Sequence, residues 1–255
     1  MNQITPNEKY RIIGGDLQAL EVTLEPGESV RAETGSMLYL DAGIEVNTNM
    51  EGGLFKGVKR MLMGEGLFIT TFTNTSSMPA KLAFAAPYPG VLIPINLADI
   101  GGEYTCQRDS YLCSLGDVDV EIAFTKKIGA GLFGGEGFIL QKLSGSGLAF
   151  VHIGGTLIEK KLAPGEVLRV DTGCLAGFTK DVQYDIQFMG GFKNSLFGGE
   201  GLFYAVLTGP GTVHLQSLPF ARIADRIHAA ASGSASSGGE VKRLGSIVGN
   251  LLNGR

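Results

Sequence analysis

Tryptophan is absent from this chain of 255 residues, and cysteine and histidine occur three times each. The cysteines, Cys106, Cys113 and Cys174, form no CxxC pair. An odd number of isolated thiols excludes a fully paired disulfide framework and reads as buried or half-buried free thiols. No His lies near any of them in sequence to activate a thiolate. There is no Ser-His-Asp order, HExxH, P-loop or metal-ligand cluster. Gly129-Ala130-Gly131 does not lead a strand into a helix, which removes a dinucleotide site. The expectation is a chain that is not an enzyme and uses no cofactor and no metal. No run of about 18 apolar residues exists, so no transmembrane helix is expected. Met1 to Pro6 shows no charged region followed by an apolar one, the pattern of a secretory signal. The expected location is therefore the cytoplasm. Charged residues make up only 18%, with net charge −4. Phosphate binding needs a clustered basic face, so nucleic acid is not the expected partner.

What is present is glycine, 39 residues of it, punctuating short apolar runs. One phrase recurs three times: Gly64-Glu65-Gly66-Leu67-Phe68, Gly135-Glu136-Gly137-Phe138-Ile139 and Gly199-Glu200-Gly201-Leu202-Phe203. A second echo compares Leu24-Glu25-Pro26-Gly27-Glu28-Ser29-Val30-Arg31-Ala32-Glu33-Thr34-Gly35 with Leu162-Ala163-Pro164-Gly165-Glu166-Val167-Leu168-Arg169-Val170-Asp171-Thr172-Gly173. A worn middle copy aligns Glu103 with Glu28 and Glu166, and places Cys106 where the others have Arg31 and Arg169. Internal repeats of this length mark stacked or closed supersecondary units. The Pro-Gly-Glu turns and alternating stretches such as Leu20-Glu21-Val22-Thr23-Leu24 make those units antiparallel strands. The expected fold is all-β: a pseudo-threefold repeat of antiparallel β-units, a β-prism or sandwich, with a short C-terminal helix. The expected organisation is one β domain over 1–219, with repeats at about 10–88, 89–150 and 151–219. A helix over 220–231, a flexible Ser/Gly linker over 232–240 and an amphipathic tail over 241–255 follow.

Each Gly-Glu-Gly phrase is preceded by an apolar pair: Leu54-Phe55, Leu132-Phe133 and Leu196-Phe197. Two readings stay open, burial under the loop and exposure as a three-pronged apolar tip. The first loop adds Lys56, Lys59 and Arg60, and apolar plus basic side chains suit a membrane interface or an acidic partner. Glu65, Glu136 and Glu200 are read as acceptors for the N–H groups of their own glycine loops, with a carboxylate ring as the alternative. Glu28, Glu103 and Glu166 are read as sharing one turn hydrogen bond. His152 and His214 sit at alternating positions next to apolar residues, which places them towards solvent or a partner. In the tail, Leu244, Ile247, Val248, Leu251 and Leu252 share one helical face.

The Pro-Gly-Glu turn, the Gly-Glu-Gly-Leu/Phe strands and the Leu218-Pro219-Phe220 exit into Ala224-Asp225-Arg226-Ile227 together resemble the altered-inheritance-of-mitochondria family number twenty-four, over about 10–230. The resemblance implies a fold like that of the tryptophan RNA-binding attenuation protein, and its mitochondrial members are linked to inner-membrane organisation. It carries over no catalytic residue. The functional expectation is a non-enzymatic interaction or scaffold protein that forms homo-oligomers or binds a protein partner and attaches peripherally to membrane through its apolar loops. The alternative, resting on fold analogy, is a small-molecule or RNA-binding β module.

Overall fold

The computed structural model describes residues 9–47, 69–126, 138–188, 203–227 and 230. The class is all-β, as expected, with a short helix, α1, over 220–227. The linker and tail lie outside the described residues. The strands fall into three successive sets. The first comprises β1 (Tyr10–Ile13), β2 (Ala19–Leu24), β3 (Ser29–Glu33), β4 (Met37–Leu40), β5 (Ile44–Asn47), β6 (Ile69–Asn74) and β7 (Ala80–Ala85). The second comprises β8 (Gly90–Asn96), β9 (Glu103–Gln107), β10 (Tyr111–Leu115), β11 (Val118–Lys126), β12 (Phe138–Gly145) and β13 (Leu148–Gly154). The third comprises β14 (Leu157–Leu162), β15 (Val167–Asp171), β16 (Leu175–Thr179), β17 (Gln183–Phe188), β18 (Phe203–Thr208) and β19 (Gly211–Gln216). The expected boundary at 150/151 falls inside β13.

Local sequence explains the elements. In β3 and β6 alternate residues point inward: Val30 and Ala32, then Thr70, Phe72 and Asn74. Pro-Gly-Glu turns at Gly27 and Gly165 place glycine at φ +82 and +78, a left-handed conformation that a Cβ would strain. Buried Asn74 closes the β6–β7 hairpin. Its amide donates to the carbonyls of Leu24 and Met78, each at 2.8 Å, and its oxygen accepts from the Ser76 N–H. A polar side chain inside a core is tolerated only when bonded in this way.

The same antiparallel pairings occur in each set. β2–β7, β8–β13 and β14–β19 pair; so do β3–β6, β9–β12 and β15–β18. β4–β7, β10–β13 and β16–β19 form a third group, each with a bulge at the start of its first-named strand. β5–β6, β11–β12 and β17–β18 form the fourth. Between sets, β3 pairs with β10 and β9 with β16. The resulting sheets have orders β1-β2-β7-β4, β5-β6-β3-β10-β13-β8, β11-β12-β9-β16-β19-β14 and β15-β18-β17.

The hydrogen bonds correct the middle register. Asn74 N–H donates to the Glu28 carbonyl and Gly209 N–H to that of Glu166, but Gly145 N–H donates to Gly102. Gly102, not Glu103, is thus the counterpart of Glu28 and Glu166. Cys106 then aligns with Ala32 and Val170, all buried, rather than with Arg31 and Arg169. The tandem Gly101-Gly102 obscures this one-residue shift in the sequence.

Three apolar cores lie between successive sheets. The first joins Leu20, Leu24, Phe72 and Phe84 to Leu92, Cys113 and Phe150. The second gathers Tyr104, Cys106, Tyr111, Leu143, Val151 and Ala176. The third joins Phe138, Leu140 and Phe178 to Val170, Ile186 and Leu207. Both faces of the second and third sheets are therefore covered.

Candidate interaction surface

Every sheet has edges, but two of them differ from the rest. β3 and β9 each carry, on the side away from β6 and β12, the third paired strand of the following set. Ala32 stands opposite Cys113, Arg31 opposite Ser114 and Val30 opposite Leu115; in the next sheet Cys106 stands opposite Gly177, Thr105 opposite Phe178 and Tyr104 opposite Thr179. The corresponding positions in the outer sheets are β15 and β4; among the described residues no strand set follows the first or precedes the second. Among the described residues, both are edge strands at a place that is interior in the other sheets.

Exposure follows from this. β10 and β16 each bury four of their five residues, whereas β4 fully buries none. Met37 is 44% exposed, Leu38 58% and Tyr39 41%, and Val167 on β15 is 54% exposed. An apolar strand edge with unpaired backbone groups is a template for another strand. The flank of β4 is ordered by charge. Tyr39 Oη donates to a Glu21 carboxylate oxygen, and Arg11 Nη2 and Lys81 Nζ lie 3.2 and 3.3 Å from the other oxygen. The tyrosine hydrogen bond, then the two cations, hold the Glu21 carboxyl below its usual range despite its burial; the same carboxylate pushes the Tyr39 phenol up.

His152 and His214 are not solvent-facing, contrary to the sequence expectation. Both are buried, because the sheets that hold them are covered on both sides. His214 Nδ1 lies 2.7 Å from Tyr104 Oη, and its Nε2 is 3.4 Å from Glu159. Burial lowers its pKa although Glu159 opposes the shift. His152 packs edge-on against Tyr88 with ring centroids 4.5 Å apart, and Tyr88 lies against Phe220 of α1. Its Nδ1 has no partner, and burial pushes its pKa down to about 4. Burial pushes all three cysteine thiols up, away from thiolate chemistry. Among the described residues, no three His, Cys, Asp or Glu side chains gather as a metal site. No helix there is long and apolar enough to cross a membrane.

Glu28 and Glu166 each accept from the N–H three residues earlier, of Glu25 at 3.0 Å and Ala163 at 2.8 Å. Glu103, displaced by the register shift, is exposed and shows no such turn bond. Leu54, Phe55, Lys56, Lys59, Arg60, Leu132, Phe133, Leu196, Phe197, Glu65, Glu136, Glu200 and the five tail residues lie outside the described residues. Sequence reasoning missed the β4 and β15 edges. The signal that could have found the first of them is Met37-Leu38-Tyr39-Leu40, an apolar run without alternation in the first strand set.

The sequence model of the family described as "Mitochondrial biogenesis AIM24" matches residues 10–218. The chain is 30% identical over 207 residues to "Uncharacterized protein M6_Spy0233" of Streptococcus pyogenes serotype M6, covering 78% of this chain and 81% of the relative. The crystal structure of protein SPYM3_0169 from Streptococcus pyogenes superposes with a TM-score of 0.70 at 25% identity, covering 87% of this chain and 99% of that one.

Proposed function

The chain belongs to the Mitochondrial biogenesis AIM24 family, and from that premise we propose that it is a non-enzymatic scaffold that self-associates and attaches peripherally to membrane from the cytoplasm. The observation that carries self-association is the pair of open strand edges, β4 and β15. The reading treats the three strand sets as copies of one unit in a pseudo-threefold repeat, and the recurrent pairings support it. The buried groups favour a non-catalytic role. His214 is tied up by Tyr104 and Glu159, His152 is held neutral, and the thiols are driven towards their protonated form.

The membrane part of the proposal concerns the apolar loops. The segments carrying Leu54-Phe55, Leu132-Phe133 and Leu196-Phe197 each connect the same two paired strands of their set: β5 to β6, β11 to β12 and β17 to β18. Equivalent placement supports presentation of the three pairs together, with Lys56, Lys59 and Arg60 at the headgroups. Light scattering after gel filtration tests self-association: a mass above the 26.9 kDa of one chain that rises with concentration is expected, and a constant monomer mass refutes it. Flotation with anionic vesicles tests attachment. Wild-type protein floats, the triple variant Phe55→Ser, Phe133→Ser, Phe197→Ser does not, and equal behaviour of the two removes the membrane part.

A further inference from the structure

The two open edges complement one another in a defined register. Within the chain, the second strand of each pairing unit accepts the third strand of the following one. The position held by Ala32 meets the bulge residue Cys113, and its counterpart Cys106 meets the bulge residue Gly177. The matching residues at the open ends are Val170 on β15 and Tyr39 on β4, fixed by their pairings with Ala205 and Ala83. Among the described residues, the first and fourth sheets share no core cluster, and no strand of the same chain occupies either edge.

Resting on the self-association reading above, we infer that β15 of one copy pairs antiparallel with β4 of a second copy, with Tyr39 opposite Val170, Leu40 opposite Arg169 and Asp41 opposite Leu168. The joined sheet has the order β17-β18-β15 followed by β4-β7-β2-β1 of the second copy. It repeats the second and third sheets strand for strand, with β1 added at the outer edge. The pairing is head-to-tail, so each copy keeps one edge open and the assembly grows until it closes or is capped. It covers the edge at Met37, Leu38 and Val167. It also brings the Tyr39 face of the second copy towards β14, where Ile158 is 42% exposed although its counterpart Leu20 is fully buried.

Directly opposed residues of antiparallel strands have Cα atoms about 4.5–5.5 Å apart, within disulfide range. The test is copper-phenanthroline oxidation of an equimolar mixture of the Tyr39→Cys chain and the Val170→Cys chain, both carrying Cys174→Ser. Val170→Cys installs the residue that the chain itself has at Cys106, and Tyr39→Cys the one it has at Cys113; the latter removes the Tyr39–Glu21 hydrogen bond but leaves Arg11 and Lys81 on that carboxylate. A covalent heterodimer is expected, and much less of it when Val167→Cys, three residues away, replaces Val170→Cys. In parallel, Leu38→Lys on the exposed edge lowers the light-scattering mass to that of one chain. If the wild type self-associates but the 39/170 pair does not cross-link, or cross-links no better than 39/167, the register is wrong while the scaffold reading stands. A wild type that stays monomeric refutes both. If a single chain carrying Tyr39→Cys, Val170→Cys and Cys174→Ser together cross-links within itself without change of mass, the two edges close on each other and the head-to-tail pairing is overturned.

Discussion

Glu33 and His152 make opposite demands on pH. Burial, with repulsion from Asp109 and against the pull of Arg108, raises the Glu33 carboxyl to about 7. The folded protein then holds a proton that the unfolded chain releases near 4.5. The stabilising contribution of this group is complete below about 4.5 and is lost as pH rises through 7. His152 behaves in the reverse sense. Its folded value of about 4 lies below the unfolded 6.5, so its contribution is present above 6.5 and is lost as pH falls through 4. Over their common window the two cancel in part. Glu33→Gln leaves a protein whose stability declines towards acid. His152→Gln, which installs the residue found at the corresponding position of β19 (Gln216), leaves one that declines between about pH 4.5 and 7. Urea midpoints across pH 4–8 measure both, and the slopes have opposite signs; the ceiling on either effect is about 3.5 kcal/mol at ~1.4 kcal/mol per pKa unit. Slopes of the same sign would contradict the assignment. Tyr104 offers a second check at this scale. Tyr104→Phe leaves His214 Nδ1 buried without its partner and costs about 1–3 kcal/mol, read as a lower thermal midpoint.

At the scale of strands, packing on both faces sets the costs. Phe150 on β13 is fully buried in the first core and meets the Tyr10 ring edge-on at 4.9 Å, so Phe150→Ala lowers stability by about 3–5 kcal/mol in urea unfolding. Gly177, at the bulge of β16, lies beneath the Tyr104 ring; a methyl group there collides with the ring and its hydroxyl. Gly177→Ala therefore also disturbs the Tyr104–His214 bond and destabilises by about 1–3 kcal/mol, whereas Gly15→Ala, into open space, is nearly neutral. Hairpins of this kind were legible beforehand because alternation in Leu20 to Leu24 and the Pro-Gly-Glu turns are local signals. The orientation of His152 and His214 was not. Alternation separates the two faces of a strand, but β13 is covered on both, and no residue within the strand records what the next sheet contributes. The open edge at β4 escaped for a related reason. In the two inner sheets, the neighbour at that position comes from a different set, through a contact distant in sequence. The Leu-Phe pairs, the candidate site legible in the sequence, lie outside the described residues and rest on composition and spacing alone.

For the whole molecule, the distribution of the cores decides how it unfolds. Each core takes residues from two adjacent sheets, and the two inner sheets each contain strands from two successive sets joined by backbone hydrogen bonds, β3 to β10 and β9 to β16. No boundary between sets can open without exposing an apolar face and breaking a sheet. The expected consequence is one cooperative transition, even though the chain has the length of two ordinary domains. Phe150→Ala in the first core and Leu207→Ala in the third then lower the midpoint of that same transition, and calorimetric and van't Hoff enthalpies agree in both variants. Protection from amide exchange follows the same geometry. β10, β13 and β16, covered on both sides, exchange only on global unfolding, while β4 and β17, edge strands of the outer sheets among the described residues, exchange through local opening. Self-association through the β4 edge shifts one part of that pattern: raising the protein concentration slows exchange in β4 and β15 and leaves β17 unchanged. Two resolved transitions, with Leu207→Ala moving only one of them, would show instead that the sets fold as separate units.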